Sequence, residues 1–158
     1  MADRNSLPTA TQRDLDSART TRRRDLGLLI IRVGFGLGFA WFHGLPKLLG
    51  GPERWTGTGD AVQYFGIGFG HQAFGLAAAL GETVGGALLA LGLLFRPAAA
   101  ALLVVMIVAA TSHLVTGQGS PGHAIKNAFL FAGLLFVGPG GYTLDALLVR
   151  RRAAPDVR

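Results

Sequence analysis

The sequence predicts an all-α, polytopic membrane protein built as an antiparallel four-transmembrane-helix bundle. Three observations carry this. Half of the 158 residues are hydrophobic. Only 15% are charged, against about 25% in an ordinary soluble domain. The apolar residues gather into four stretches that approach the roughly 20 helical residues a bilayer core requires, at 26–49, 71–95, 97–116 and 122–138.

Residues 1–24 are polar and charged, without the apolar centre a cleavable leader needs, and are expected to form a disordered tail. The first span then runs to Leu49, with Pro46 freeing the carbonyl of Phe42 and bending the helix beside His43. The segment 50–70 reads as a glycine-rich external loop. It carries Trp55, Tyr64 and Phe65 for the interface and a short helix at 60–65. The second span, 71–95, is joined to the third by a very short link at Arg96, where Pro97 suits a first helical position. Gly117 to Gly122 forms a turn by composition. The fourth span is the shortest, with Lys126 and Asn127 in its first turn and an unbroken apolar run from Ala128 to Val137. Gly138-Pro139-Gly140-Gly141 breaks it, and Thr143 is placed to cap a final short helix. The membrane domain so defined is 25–149, followed by a basic tail at 150–158.

The net charge of +6 does not point to nucleic acid, because the arginines flank apolar segments. Arg22 to Arg24, Arg96 and Arg150 to Arg152 fall on alternate connections. The positive-inside rule then puts both termini in the cytoplasm, with the bilayer as the first partner. The chain has no cysteine, which excludes thiol catalysis and thiolate-held iron–sulfur or zinc sites; no metal site is expected. Gly34 with Gly38, and Gly81 with Gly85, form smooth stripes for close helix approach inside the bundle, with a homo-oligomer contact as the alternative.

Ionisable residues inside the spans are the candidate site. Arg32, His43 and Lys47 share a face, since at 100° per residue His43 lies about 20° and Lys47 about 60° from Arg32. Each charge at mid-membrane costs on the order of 3 kcal/mol, so this face should point inward. Glu82 lies about 16 Å from the outer end of its span, at a depth similar to that of Arg32, and a buried Arg32–Glu82 ion pair is expected. His113 and Lys126 fall in the same leaflet as His43 and Lys47, which places these four around one outward-facing polar pocket with Glu82 at its floor. The excess of positive groups suits a small anion. The alternatives are a packing role for the charged pair, snorkelling lysines and histidines that serve only as interfacial hydrogen-bonding groups. A haem held between His43 and His113 is a minor reading.

Several motifs together resemble the DoxX family of small membrane proteins, over residues 26–145. They are Arg32 followed by His43-Gly44-Leu45-Pro46-Lys47-Leu48, then Gly81-Glu82-Thr83-Val84-Gly85-Gly86, Gly92-Leu93-Leu94-Phe95-Arg96-Pro97 and Gly138-Pro139-Gly140-Gly141-Tyr142-Thr143-Leu144-Asp145. Gly141 stands where a basic residue is frequent, and Thr143 where serine is usual. The resemblance implies a four-helix membrane bundle. It also implies a place beside oxidoreductases, because relatives include a subunit of a thiosulfate to quinone oxidoreductase. The expected function is thus a membrane subunit of an oxidoreductase system in a prokaryotic cytoplasmic (inner) membrane, binding a quinone or a small anion and working with oxidoreductase partner proteins. Arg32, Lys47 and Lys126 would bind the substrate, Glu82 would exchange protons, and His43 or His113 would relay them. A proton-coupled transporter, which calls for an unpaired Glu82, and a non-catalytic membrane scaffold are the competing classes.

Overall fold

A computed structural model describes the backbone of residues 10–153 and the side chains of residues 10–149. Helix α1 (Ala10–Gly38) passes without a break into a π-helical stretch (Phe39–Gly44) and then α2 (Leu45–Leu49). Residues 10–24, expected to be disordered, are therefore helical, because they continue a helix anchored in the apolar stretch after them. Residues 1–9 of that expected tail, and 154–158 of the basic one, lie outside the described residues.

Pro46 explains the π stretch. Its ring would collide with the carbonyl four residues back and it donates no hydrogen bond; widening the preceding turn to five-residue spacing relieves both constraints. The bend expected beside His43 thus takes the form of a change in helix phase.

The segment after Gly50 is not a loop. It folds as α3 (Gly51–Gly59) and a 3₁₀ turn (Asp60–Phe65), the latter at the position expected for a short helix. Glycine makes this possible. Gly59 packs directly on the backbone of His71, and Gly75 on that of Trp55, so α3 lies against α4 (His71–Leu91) at backbone contact. The Trp55 indole N–H donates to the carbonyls of Lys47 and Leu48, at 3.0 and 3.2 Å, and closes the end of α2.

The second and third spans meet three residues earlier than expected. Gly92 takes the left-handed conformation that ends helices, with φ +67°, and Leu94 follows at φ +44°. Phe95, Arg96 and Pro97 then form the first turn of α5 (Phe95–Thr116), where proline still costs nothing. The strained link is held by Asp145, whose carboxylate accepts from the Leu94 amide at 3.0 Å. Helix α6 (Pro121–Val137) opens with Ser120, which accepts from the His123 amide. Thr143 caps α7 (Leu144–Ala153) as anticipated, accepting from the Ala146 amide at 3.0 Å.

The helices α1, α4, α5 and α6 run alternately up and down. Phe39, Leu89, Ala99, Leu102, Met106, Phe131 and Leu134 fill the space between them. Among the described residues three helices are long and apolar enough to cross a bilayer, the first as the 40-residue Ala10–Leu49 unit, and Pro121–Val137 is a shorter apolar fourth. Their outward faces carry large apolar side chains such as Phe42, Phe129 and Phe136, which is how a bundle solvated by lipid is surfaced.

One contact sets the bundle's register. A methyl group added at Gly36 would stand 2.5 Å from the Gly86 carbonyl, and one added at Gly86 would stand 2.6 Å from the Gly36 carbonyl. Gly44 packs in the same way on the backbone of Glu82 and Thr83. The glycines expected to do this, Gly34 and Gly38, have open space beside them, because Gly36 and Gly44 occupy the face turned to α4. Gly81 and Gly85 do face a neighbour, α5, at ordinary contact with Val105 and with Ala98 and Leu102.

Gly86→Val should therefore lower the melting temperature in detergent strongly, since overpacking against backbone costs about 1–3 kcal/mol or more. Gly34→Ala should change stability by less than about 0.5 kcal/mol. Circular dichroism melts of the two variants would check the pair, and equal losses would refute the assignment of the α1–α4 contact to Gly36 and Gly86.

Candidate functional site

The α1–α4 register decides which charges meet. Because Gly44 abuts Glu82 and Thr83, Lys47 lies about one turn beyond the level of Glu82. Its amine donates to Glu82 Oε1 at 2.7 Å. Glu82 is 1% exposed and the Lys47 side chain 26%. The second carboxylate oxygen, Oε2, is buried without a hydrogen-bond partner.

The expected Arg32–Glu82 pair does not form. In the antiparallel packing Arg32 precedes Gly44 by twelve residues, about 18 Å along the axis, and so falls opposite the far end of α4. Its guanidinium passes over Gly92 beside Thr143, and a side chain at 92 would collide with it. Arg32 is 2% exposed, and its Nε and Nη1 have no hydrogen-bond partner.

The five residues proposed to share one pocket divide among separate places. Lys47 and Glu82 form the pair. Lys47 opens onto an apolar groove of about 350 Å³ between α3, α4 and α5, lined by Val62, Phe74, Ala78, Gly81 and Val105 among others. His43 lies within electrostatic reach of both Glu82 and Lys47. Its ring faces His123, with centroids 5.3 Å apart, and Phe39 on its other flank at 5.0 Å. His113 is elsewhere, packed under Gly119 in a small polar recess with Asp60, Tyr64 and Ser112. His43 and His113 therefore line different cavities and do not converge on one haem iron. Lys126 is exposed on the outer face of α6, as a snorkelling lysine would be.

Two histidines were overlooked in the sequence. His123 falls inside the span expected at 122–138, just after the Gly117 to Gly122 turn, and is not among the candidate site residues. In the fold it stands in the first turn of α6, its ring nitrogen 3.1 Å from the Asn127 amide, at the head of a groove between α1 and α6. His71 pairs with Asp60 at 2.8 Å and ties the 3₁₀ turn to α4. The four-residue spacing of His123 and Asn127 was the signal available for the first. Nothing local marked the second.

What the site can do follows from its parts. A nearly fully buried carboxylate with one free oxygen can take up a proton, its lysine partner can hold a polar ligand atom, and two neighbouring imidazoles can pass protons onward. Among the described residues no group of three His, Asp or Glu side chains is arranged to hold a metal ion.

A double-mutant cycle should give a coupling of about 1–3 kcal/mol between Lys47→Ala and Glu82→Gln, in the range of directly contacting residues. Arg32→Gln and Glu82→Gln should couple by no more than about 1 kcal/mol, the charge interaction left across about 18 Å. Thermal unfolding of the single and double variants measures both, and coupling at 32 rather than 47 would overturn the pairing.

The family profile of DoxX matches residues 27–115, a stretch that contains Arg32, the Lys47–Glu82 pair, His43 and His113. No curated protein and no solved structure matches the chain. With more than half of its length matched, and the bundle and its motifs as described, the chain belongs to the DoxX family of multi-pass membrane proteins.

Proposed function

We propose that this protein is the membrane subunit of an oxidoreductase system and receives a lipid-soluble carrier of the quinone class in the groove beside Lys47. The observation that carries the reading is the position of the buried Lys47–Glu82 pair at one end of an apolar groove of about 350 Å³. That volume lies within the range of small-molecule sites, which are mostly apolar with a few convergent polar groups. The fit with a quinone rests on chemistry: an apolar body suits Val62, Phe74 and Val105, and a ring carbonyl suits the Lys47 ammonium.

A bound quinone supplies the two-electron, two-proton chemistry, with a partner oxidoreductase as the source of electrons. The residues here have the proton side of the reaction. Lys47 orients the headgroup by hydrogen bonding to its oxygen. Glu82 holds a proton at its free Oε2 or releases it. His43, within electrostatic reach of the pair, and His123 beside it are the groups that would pass protons toward the α1–α6 face, away from the groove. Water is excluded from Glu82 by the contacts of Gly44 and Thr83 around it. The transporter reading required an unpaired Glu82, and the 2.7 Å contact with Lys47 removes that support.

For orientation, the arginines at 22–24, Arg96 and those at 150–152 favour a cytoplasmic location for both termini, in a prokaryotic inner membrane. The absence of cysteine makes a clean test available. Gln118→Cys, at the exposed turn between α5 and α6, should react with a membrane-impermeant maleimide on intact cells, whereas Ala10→Cys should react only after lysis; the opposite pattern would invert the topology.

For the ligand, the protein purified in mild detergent should carry quinone in an organic extract read by mass spectrometry. A short-chain ubiquinone should also quench Trp55, whose indole is bonded to the Lys47 carbonyl. Lys47→Met should weaken that quenching about tenfold, the loss of one charge-assisted hydrogen bond. An extract without quinone, together with quenching indifferent to residue 47, would sink the proposal.

A further inference from the structure

A second built site lies at the opposite end of the bundle, where the termini and the α4–α5 link meet. Its centre is Arg32. A guanidinium carries five N–H donors and remains charged under all ordinary conditions, so the group cannot relieve its burial by losing a proton. Yet Arg32 is 2% exposed, two of its nitrogens have no partner, and no ion pair reaches it among the described residues. Leaving such a cation uncompensated is among the most destabilising arrangements a fold can contain.

The fold nonetheless makes room for it. Gly92 lacks the side chain that would block the guanidinium, and the buried Thr143 borders the same opening. Arg32 lines an open cavity bounded also by Arg22, Asp25, Tyr142 and Thr143. The first turn of α7, whose leading amides have no intrahelical acceptor, forms another part of the wall. Asp25 is the one carboxylate on this wall. Its oxygens rest against the turn at Gly140 and Gly141, and it makes no ion pair with Arg32.

We propose that this cavity binds a phosphate-type oxyanion, which supplies the counter-charge that Arg32 lacks. The planar guanidinium matches two oxygens of a tetrahedral anion, Arg22 at the mouth adds a second positive charge, and the helix α7 terminus adds a favourable dipole. The oxyanion has two potential sources, the headgroup phosphate of an anionic phospholipid and a free ion from solution. Arg32 lies six helical residues inside the start of the apolar stretch at 26, roughly 9 Å, and the cavity between them is a path for either. The site is separate from the Lys47 groove and does not depend on the reading given for that groove.

The test uses the full chain in mild detergent. Native mass spectrometry reads whether a phosphatidylglycerol molecule stays bound at one per chain. Melting of the delipidated protein is then followed with millimolar phosphate or sulfate against chloride of equal ionic strength. A retained lipid identifies the headgroup as the source; a rise of several degrees with phosphate or sulfate, and not with chloride, identifies the free ion. Either effect should fall about tenfold in affinity in Arg32→Gln, and less in Arg32→Lys, which keeps the charge but loses the fork. Should Arg32→Gln fail to fold, Arg22→Gln at the exposed mouth should weaken binding severalfold, and Asp25→Asn should strengthen it. Absence of both lipid and oxyanion effects in the wild type would overturn the proposal, as would effects of equal size in wild type, Arg22→Gln and Asp25→Asn. If Asp25→Asn alone unfolds the protein, Asp25 is the counter-ion and the cavity is no anion site.

Discussion

Backbone contact between α1 and α4, made where Gly36 meets Gly86 and Gly44 meets Glu82 and Thr83, determines what the other polar residues of this bundle can reach. Helices in lipid gain little from burying apolar surface against each other, since lipid tails are equally apolar, and close packing of small residues takes over that role. The approach brings carbonyls to within a methyl group's width, which fixes the axial register far more tightly than interdigitated leucines would. With Gly36 opposite Gly86 and Ala90, and Gly44 opposite Glu82, each position on α1 has a defined counterpart. Lys47 extends past Gly44 to Glu82, whereas Arg32 is left facing the end of α4.

The phase change at Phe39–Gly44 complements this contact. On an uninterrupted α-helix, residues spaced by four drift around the axis by about 40° per step. Positions 36, 40 and 44 would then turn gradually away from α4. The wider π turn slows that drift, so Gly44 still meets α4 and Lys47 arrives on the side of Glu82. Pro46 is therefore more than a bend. It requires the local widening through which a lysine near the end of the helix becomes the partner of a carboxylate in the middle of the next. Stability alone does not call for such a pair, because replacing a buried ion pair by apolar residues is often neutral or stabilising.

The architecture was readable in the sequence because it rests on long, redundant signals. The apolar stretches, glycine breaks and Thr143 cap each follow from local composition. Register was not readable. Placing Arg32 opposite Glu82 required comparing a depth measured from one membrane face with a depth measured from the other, and α4 ends at Leu91 rather than at 95. The arrangement of glycines was also ambiguous, since Gly34-Gly38 and Gly36-Ala40-Gly44 present equally plausible four-residue stripes, and only the packed partner distinguishes them. His123 was missed because nothing local sets apart a histidine at the outer start of a span, and its closeness to His43 depends on the contact between the π stretch and α6. The helical segment Gly51–Gly59 read as a loop because its three glycines suggest flexibility. Two of the chain's glycines there, Gly59 and Gly75, instead allow it to lie directly on α4.

The two polar centres are nearly independent electrostatically, although one helix carries a residue of each. Separated by about 18 Å along α1, unit charges at Arg32 and Glu82 interact by about 1 kcal/mol at an effective dielectric constant near 20. That is roughly a fivefold effect on any equilibrium. An anion neutralising Arg32 would therefore only slightly alter proton uptake at Glu82, and a proton at Glu82 would only slightly alter anion affinity. Stronger communication would need the α1–α4 register to shift, and the backbone contact at Gly36 and Gly86 resists that. The bundle holds a lysine with its carboxylate in one half and an arginine without one in the other. Because the helix register keeps them apart, neither cation can serve as the other's substitute.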